Sequence, residues 1–254
     1  MKFTVNFTDS RDPTCKGLAY HHYISDESRA KPTLLWLNGF MSDMGGTKIA
    51  TLREAAVKYN WNLLCFDYYA TGRSQGDWSQ ARIGLWRRNV RFVVDELIKG
   101  PVVVIGSSLG GWLGLLSLLD RPERIQSIGL IAPAPDFTSE LMLPSLDPEL
   151  RKALTQTGSL TLSNYDYAVD MYQDFFDEAE HHKVLNQIIK YKGRVEIIHG
   201  LKDESVPYHY GLGLKDLISS DQMQIHLIKD GDHRLSRPQD LALIIQSVKS
   251  LMAQ

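Results

Sequence analysis

The pattern Gly-x-Ser-x-Gly occurs twice in this 254-residue chain, at Gly72-Arg73-Ser74-Gln75-Gly76 and at Gly106-Ser107-Ser108-Leu109-Gly110. A serine between small residues can sit on a tight strand-to-helix turn, where its hydroxyl stands exposed for attack on an acyl carbonyl. The pattern is short, so its setting decides. The first copy lies several residues beyond an apolar run ending near Asp67 and continues into Asp77-Trp78-Ser79-Gln80, a loop composition. The second directly follows Val102-Val103-Val104-Ile105 and directly opens an apolar helical pattern. There the helix N-terminus also favours developing negative charge. Ser108 is therefore the expected nucleophile, and Ser74 and Ser107 are read as turn hydroxyls bonded to nearby backbone.

A serine hydroxyl needs a positioned base to take its proton. Of the eight histidines, His21, His22 and His226 fall within strand patterns, His199 ends one, and His209 follows Pro207 at a helix start. His181 and His182 are adjacent on a helical pattern and point in different directions, which makes a zinc site there a poor reading. His233, in Asp230-Gly231-Asp232-His233-Arg234, lies between the last strand pattern and the last helical pattern. That puts it on the same rim as Ser108, and it is the expected base. The acid should fall between them in the order Ser, Asp or Glu, His. Asp203 follows the penultimate strand pattern and is preferred, to fix the histidine tautomer and stabilise the imidazolium. Asp136 and Glu204 are the competitors: Asp136 stands among Pro133 and Pro135 like the entrance to an insertion, and Glu204 reads as a solvated neighbour.

An oxyanion requires backbone N–H groups aimed at the developing charge. One is expected from Leu109, the residue after the nucleophile, and one from Phe40, which follows Asn38-Gly39 at the end of an early strand pattern. Gly39, Met41 and Trp112 lie beside these loops and, with Met142, Phe175 and Phe176, are the candidate substrate contacts. For each of these apolar residues plain core packing is an equal alternative.

Positioning these groups requires an alternation of strands and helices. Strand patterns fall at 3–8, 18–24, 33–38, 61–67, 102–106, 125–131, 194–199 and 222–228. The first two, joined by a short Pro- and Gly-containing turn, are expected antiparallel. From 33 onward the intervening helical patterns, at 46–59, 82–99, 109–120, 208–219 and 237–252, imply parallel strands. Continuously apolar runs such as 102–105 suit strands covered on both faces. Helix 109–120 is apolar nearly all round, as a central buried helix would be. Its Gly111 and Gly114 lower helix propensity, and close approach to a strand would explain them. Between about 136 and 192 no strand is predicted and helices are expected near 139–156 and 164–190. An insertion that long reads as a helical cap on a single α/β domain spanning 1–254. Its Met142, Tyr165, Tyr167, Met171, Tyr172, Phe175 and Phe176 could line an acyl pocket.

Composition narrows the classes. Hydrophobic residues make up 43% and charged residues 23%, which is globular rather than disordered. A net charge of −2 gives no broad basic face for nucleic acid. No apolar run approaches the roughly 18 residues of a membrane span. Two cysteines, Cys15 and Cys65, cannot form a disulfide framework, and the expected compartment is the cytoplasm.

Together these residues resemble the α/β-hydrolase fold over nearly the whole chain. Within it the sequence is similar to the subfamily of the mitochondrial palmitoyl-protein thioesterase that also acts as an acyl-glucuronide esterase. The likeness rests on Asn38-Gly39-Phe40-Met41-Ser42, Gly46-Thr47-Lys48, Gly106 to Leu113, Glu178-Ala179-Glu180-His181-His182, and His199-Gly200 with Lys202-Asp203 and Val206-Pro207. Asp232-His233-Arg234 completes it. The resemblance implies that Ser108, Asp203 and His233 act together on an ester or thioester of a fatty or aryl acid, with no metal or organic cofactor. Two departures stand out: no organelle-targeting extension precedes the chain, as in a bacterial relative or a processed mitochondrial form, and Ala70 stands where related hydrolases often carry glycine. The rival readings are a non-catalytic ligand cradle on the same fold, and carbon–carbon or lactone hydrolysis by the same residues.

Overall fold

The structure is a computed structural model, and it describes residues 4–25, 31–164 and 167–253. Its strands are β1 (Asn6–Phe7), β2 (Ala19–Tyr23), β3 (Thr33–Leu37), β4 (Asn62–Phe66), β5 (Val102–Ser107), β6 (Ile125–Ile131), β7 (Ser159–Asn164), β8 (Tyr167–Tyr172), β9 (Arg194–Gly200) and β10 (Met223–Ile228). Eight form one sheet in the order β1-β2-β4-β3-β5-β6-β9-β10. β1 and β2 pair antiparallel, as do β2 and β4. All pairs from β4 to β10 across the sheet are parallel. The expected strands are all present, and the first is cut to two described residues.

The helices that cross between strands are α1 (Thr47–Tyr59), α2 (Ile83–Phe92, continued by a π-helical turn over Val93–Leu97) and α3 (Leu109–Asp120). Later come α4 (Pro148–Thr157), α5 (Gln173–Ala179), α6 (His209–Leu217) and α7 (Pro238–Met252). The runs of β3, β4 and β5 are apolar on both faces because each face has its own cover. Leu35, Leu37, Leu64, Phe66, Val104 and Ile197 share one core with α2 and α3. Leu34, Trp36, Leu63, Cys65, Val103 and Ile105, offset by one residue, share another with α1 and α7. Side chains alternate along a strand, so two covered faces require an unbroken apolar run. The glycines of α3 do sit at close approaches. A Cβ on Gly111 would lie 2.8 Å from the Pro133 ring, and one on Gly114 would lie 3.2 Å from Ile128 Cδ1.

The long insertion between β6 and β9 corrects the sequence reading in part. Helix is present over Pro148–Thr157, opened by Asp147 accepting from the Glu149 N–H and closed by Gly158 in the left-handed region. From Ser159 to Tyr172, however, the chain is an antiparallel hairpin, registered from Ser159 opposite Tyr172 to Asn164 opposite Tyr167. Helix resumes only at Gln173 and, with a 3₁₀ turn, ends at His182. The expectation of helix from 164 to 190 therefore fails at both ends, and Tyr165 lies outside the described residues. Leu160, Val169 and Met171 are buried, so burial along alternate positions holds this stretch extended.

The insertion is tied to the body at defined points. The Asp136 carboxylate accepts the N–H groups of Val184 and Leu185 at 2.9 Å each. The Trp112 indole donates to the carbonyl of His182 at 3.0 Å, and Trp78 donates to that of Asp170 at 2.7 Å. His182 itself bonds Glu178 at 2.7 Å and stands 3.2 Å from the Arg87 guanidinium, which fixes that end of the insertion against α2. Among the described residues no helix is long and apolar enough to cross a membrane.

Candidate active site

The loops at the carboxyl ends of β3, β5, β6, β9 and β10 all open on one rim of the sheet, where ligands of open parallel sheets bind. Ser108 stands there between β5 and α3 with φ 55° and ψ −118°. The elbow is built from close backbone approaches: a Cβ on Gly106 would fall 2.1 Å from the Gly110 carbonyl oxygen, and one on Gly110 would fall 2.2 Å from that of Leu37. No side chain fits at either position, so the two flanking glycines are sterically required. The other Gly-x-Ser-x-Gly copy has a different job. Ser74 donates to the Asp67 carbonyl at 2.6 Å and accepts the Ala19 N–H at 2.8 Å, which spends its hydroxyl on a turn.

The three residues expected to act together do meet. His233 Nε2 is 3.1 Å from Ser108 Oγ, and His233 Nδ1 is 2.7 Å from Asp203 Oδ2. The loops carrying Asp203 and His233 are pressed together by Leu201 N–H donating to Ile228 and Lys202 N–H donating to Gly231, at 2.8 and 2.9 Å. Asp203 is buried, and its Oδ1 accepts the N–H groups of Ser205 and Val206 at 3.0 and 2.7 Å. Burial pushes this carboxyl up, but the donors around it (His199, His233 and the Val206 amide) outweigh burial and hold it well below the usual carboxylate range. An ionised carboxylate only accepts, so Nδ1 of His233 carries a proton, and in the neutral ring Nε2 is the nitrogen that can accept from Ser108. Asp136, the competing acid, is committed to the amides of Val184 and Leu185 instead.

Gly39 lies against the elbow: a Cβ there would be 3.4 Å from Ser108 Cβ. The loop around it is held by buried polar groups that sequence reasoning missed. Asn38 accepts from Trp36 Nε1 at 2.6 Å, donates to the Phe66 carbonyl at 2.8 Å, and receives the Tyr68 hydroxyl on its own carbonyl at 3.0 Å. Asp67 accepts the N–H groups of Met44 and Arg73, each at 2.8 Å. Their signal was a polar residue closing each of two otherwise apolar strands. Leu109, as first residue of α3, has an N–H with no acceptor inside the helix.

The apolar candidates divide. The Phe40 ring is surrounded by Phe137, Trp78, Phe175 and Trp86, with ring centres 5.5, 6.1, 6.2 and 6.4 Å away. Phe175 thus packs directly against the ring of Phe40. Met41, with φ 56°, is 38% exposed beside it, and Met142 is half-buried on the edge of the core. Trp112 and Phe176, at 0% and 1% exposure, lie inside the packing: Trp112 sits edge-on to Phe137 and Phe176 edge-on to Phe175. Position four residues beyond Ser108 turns Trp112 inward, toward the insertion. Ala70 adopts φ 59°, so the loop keeps the backbone that glycine would favour.

A family model described as the alpha/beta hydrolase fold matches residues 32–160. The rat protein named palmitoyl-protein thioesterase ABHD10, mitochondrial, is 31% identical over 254 residues, covering 99% of this chain and 83% of its own length. The chain belongs to the α/β-hydrolase family. Mouse alpha/beta hydrolase domain-containing protein 10 superposes on this α/β-hydrolase with a TM-score of 0.87 at 30% identity, covering 98% of both chains. A putative hydrolase from Agrobacterium vitis S4 gives a TM-score of 0.90 at 28% identity, over the full length of both.

Proposed function

We propose that this α/β-hydrolase cleaves carboxylic esters or thioesters through an acyl-serine intermediate, with acyl-proteins among its substrates. His233 Nε2 takes the Ser108 proton as Oγ attacks the carbonyl carbon. The tetrahedral oxyanion is held by the N–H groups of Phe40 and Leu109. His233 then gives the proton to the leaving thiolate or alkoxide, and the acyl group stays on Ser108. A water molecule, deprotonated by the same histidine, attacks the acyl carbon and releases the acid. Asp203 holds the imidazole tautomer and stabilises the imidazolium without taking the proton.

The observation that carries this reading is the continuous contact from Ser108 Oγ through His233 to Asp203, at 3.1 and 2.7 Å, on a strained strand-to-helix turn. Strained backbone of this kind concentrates at functional sites. Kinship with proteins named palmitoyl-protein thioesterase supports the acyl class. We read the stretch 136–192 as a cap over the acyl side, on the strength of the Phe175 ring beside Phe40. The cytoplasm, or the mitochondrial matrix for a processed form, is the proposed compartment, in keeping with two free, buried thiols. The test is a matched series of p-nitrophenyl esters and acyl thioesters of rising chain length, assayed with the wild type and with Ser108→Ala. Turnover that vanishes in Ser108→Ala supports the reading. Equal turnover by both proteins, or none by the wild type on any member, overturns it.

A further inference from the structure

His199 is the penultimate residue of β9, and its side chain is fully buried. Its Nε2 lies 2.9 Å from the carbonyl of Val206 and 3.2 Å from Asp203 Oδ2, the same oxygen that faces His233. A carbonyl only accepts, so Nε2 carries the proton, and that N–H faces both oxygens. Nδ1 is buried without a hydrogen-bond partner among the described residues. The backbone of α6 packs against it: a Cβ on Gly211 would be 2.4 Å from Nδ1. A buried acceptor without a donor destabilises the fold, a cost which an apolar side chain of similar size would avoid. What the apolar side chain could not supply is a donor at the far side of the Asp203 carboxylate.

We propose that His199 is a positioning residue for the reaction: a second imidazole, donating through Nε2, that sets the rotation of the Asp203 carboxylate. Val206 offers its N–H to Oδ1 and its carbonyl to His199, so the turn from 203 to 206 and the imidazole together clamp both carboxylate oxygens. Oδ2 is thereby aimed at His233 Nδ1. His199 touches neither Ser108 nor the reacting atoms, and its effect passes through Asp203 to His233. This inference rests on the acyl-serine reading above.

The test compares His199→Leu, which cannot donate, with His199→Gln, whose amide N–H can. Both are assayed for kcat and KM on p-nitrophenyl butyrate, with thermal unfolding recorded for each. The expected result is a kcat lowered about 10- to 100-fold in His199→Leu, the scale of a roughly 1 Å misplacement, with KM near wild type and activity largely restored in His199→Gln. A folded His199→Leu with kcat within about twofold of wild type overturns the proposal, as does an equal fall in both variants. Nitrogen-15 imidazole shifts of the wild-type protein give a readout independent of variant folding. They should place a proton on His199 Nε2, and a bare Nε2 would contradict the clamp. Wild-type protein without esterase activity would instead defeat the acyl-serine reading and leave the tautomer measurement standing.

Discussion

The ammonium of Lys48 donates to the backbone carbonyl of Arg234 at 2.5 Å, joining two residues 186 positions apart. Lys48 lies in the first turn of α1, just beyond the loop that carries Phe40, and Arg234 directly follows His233. A cation in a helix's first turn opposes the helix dipole, and burial also pushes this ammonium down. The contact therefore serves the rim: it straps the chain just beyond the Phe40 loop to the loop that carries His233. Lys48→Met is expected to lower kcat/KM roughly 10-fold through misplacement of His233. The fold should persist, with stability down by about 1 kcal/mol. Steady-state kinetics and urea unfolding of the variant check both statements.

The two buried aspartates of the rim should separate cleanly. Asp203→Asn should cut kcat by a factor on the order of 10⁴, as a wrong histidine tautomer does in the serine-protease case. Asp136→Asn should leave turnover within a few-fold and instead loosen the insertion, because its carboxylate holds the amides of Val184 and Leu185. Limited proteolysis alongside kinetics reads the difference. A larger kinetic loss at 136 than at 203 would reassign the acid.

Acid stability offers a test without substrate. Asp203 is held below its ordinary value in the folded protein. Its contribution to stability is therefore fully present above the unfolded value of about 3.9 and is lost as pH falls from there toward the folded value. Wild-type urea midpoints should drop across that acid window, and those of Asp203→Asn should drop less steeply. Parallel curves would mean that the carboxylate is not stabilised in the fold.

Ala70 carries a left-handed backbone at φ 59°, which costs a non-glycine residue about 1–2 kcal/mol. Ala70→Gly relieves that strain and loses roughly 0.4–1 kcal/mol through the freer unfolded chain. The net expectation is a gain of about 0.5 kcal/mol in unfolding free energy, measured by urea titration. A loss would show that the Ala70 methyl packs favourably there.

The legible parts of this molecule are those where one physical constraint acts alone. Strands β3, β4 and β5 are covered on both faces, so their apolar runs are continuous and easily seen. The elbow was legible because strand, small residues and apolar helix follow one another within a few positions of Ser108. The hairpin from Ser159 to Tyr172 was hidden by competing periods. Leu160 and Leu162, then Val169 and Met171, alternate as strands do, yet Tyr165, Val169, Tyr172 and Phe176 repeat at helical spacing. The pairing of the two strands decided between them. Trp112 was a candidate by nearness to Ser108 and Phe176 as an apolar residue of the insertion, but the direction of each helical side chain set where it points, and both lie inside the packing. The contact of His199 with Asp203 depends on how the loop after β9 turns back, which no periodicity records.

The most direct test of the central claim is reaction of the folded wild-type protein with a fluorophosphonate, followed by peptide mapping by mass spectrometry. One adduct per chain, on Ser108 Oγ, with the rate strongly reduced in His233→Ala, is the predicted result. An unreacted folded protein, or an adduct located on another residue such as Ser74, would contradict it.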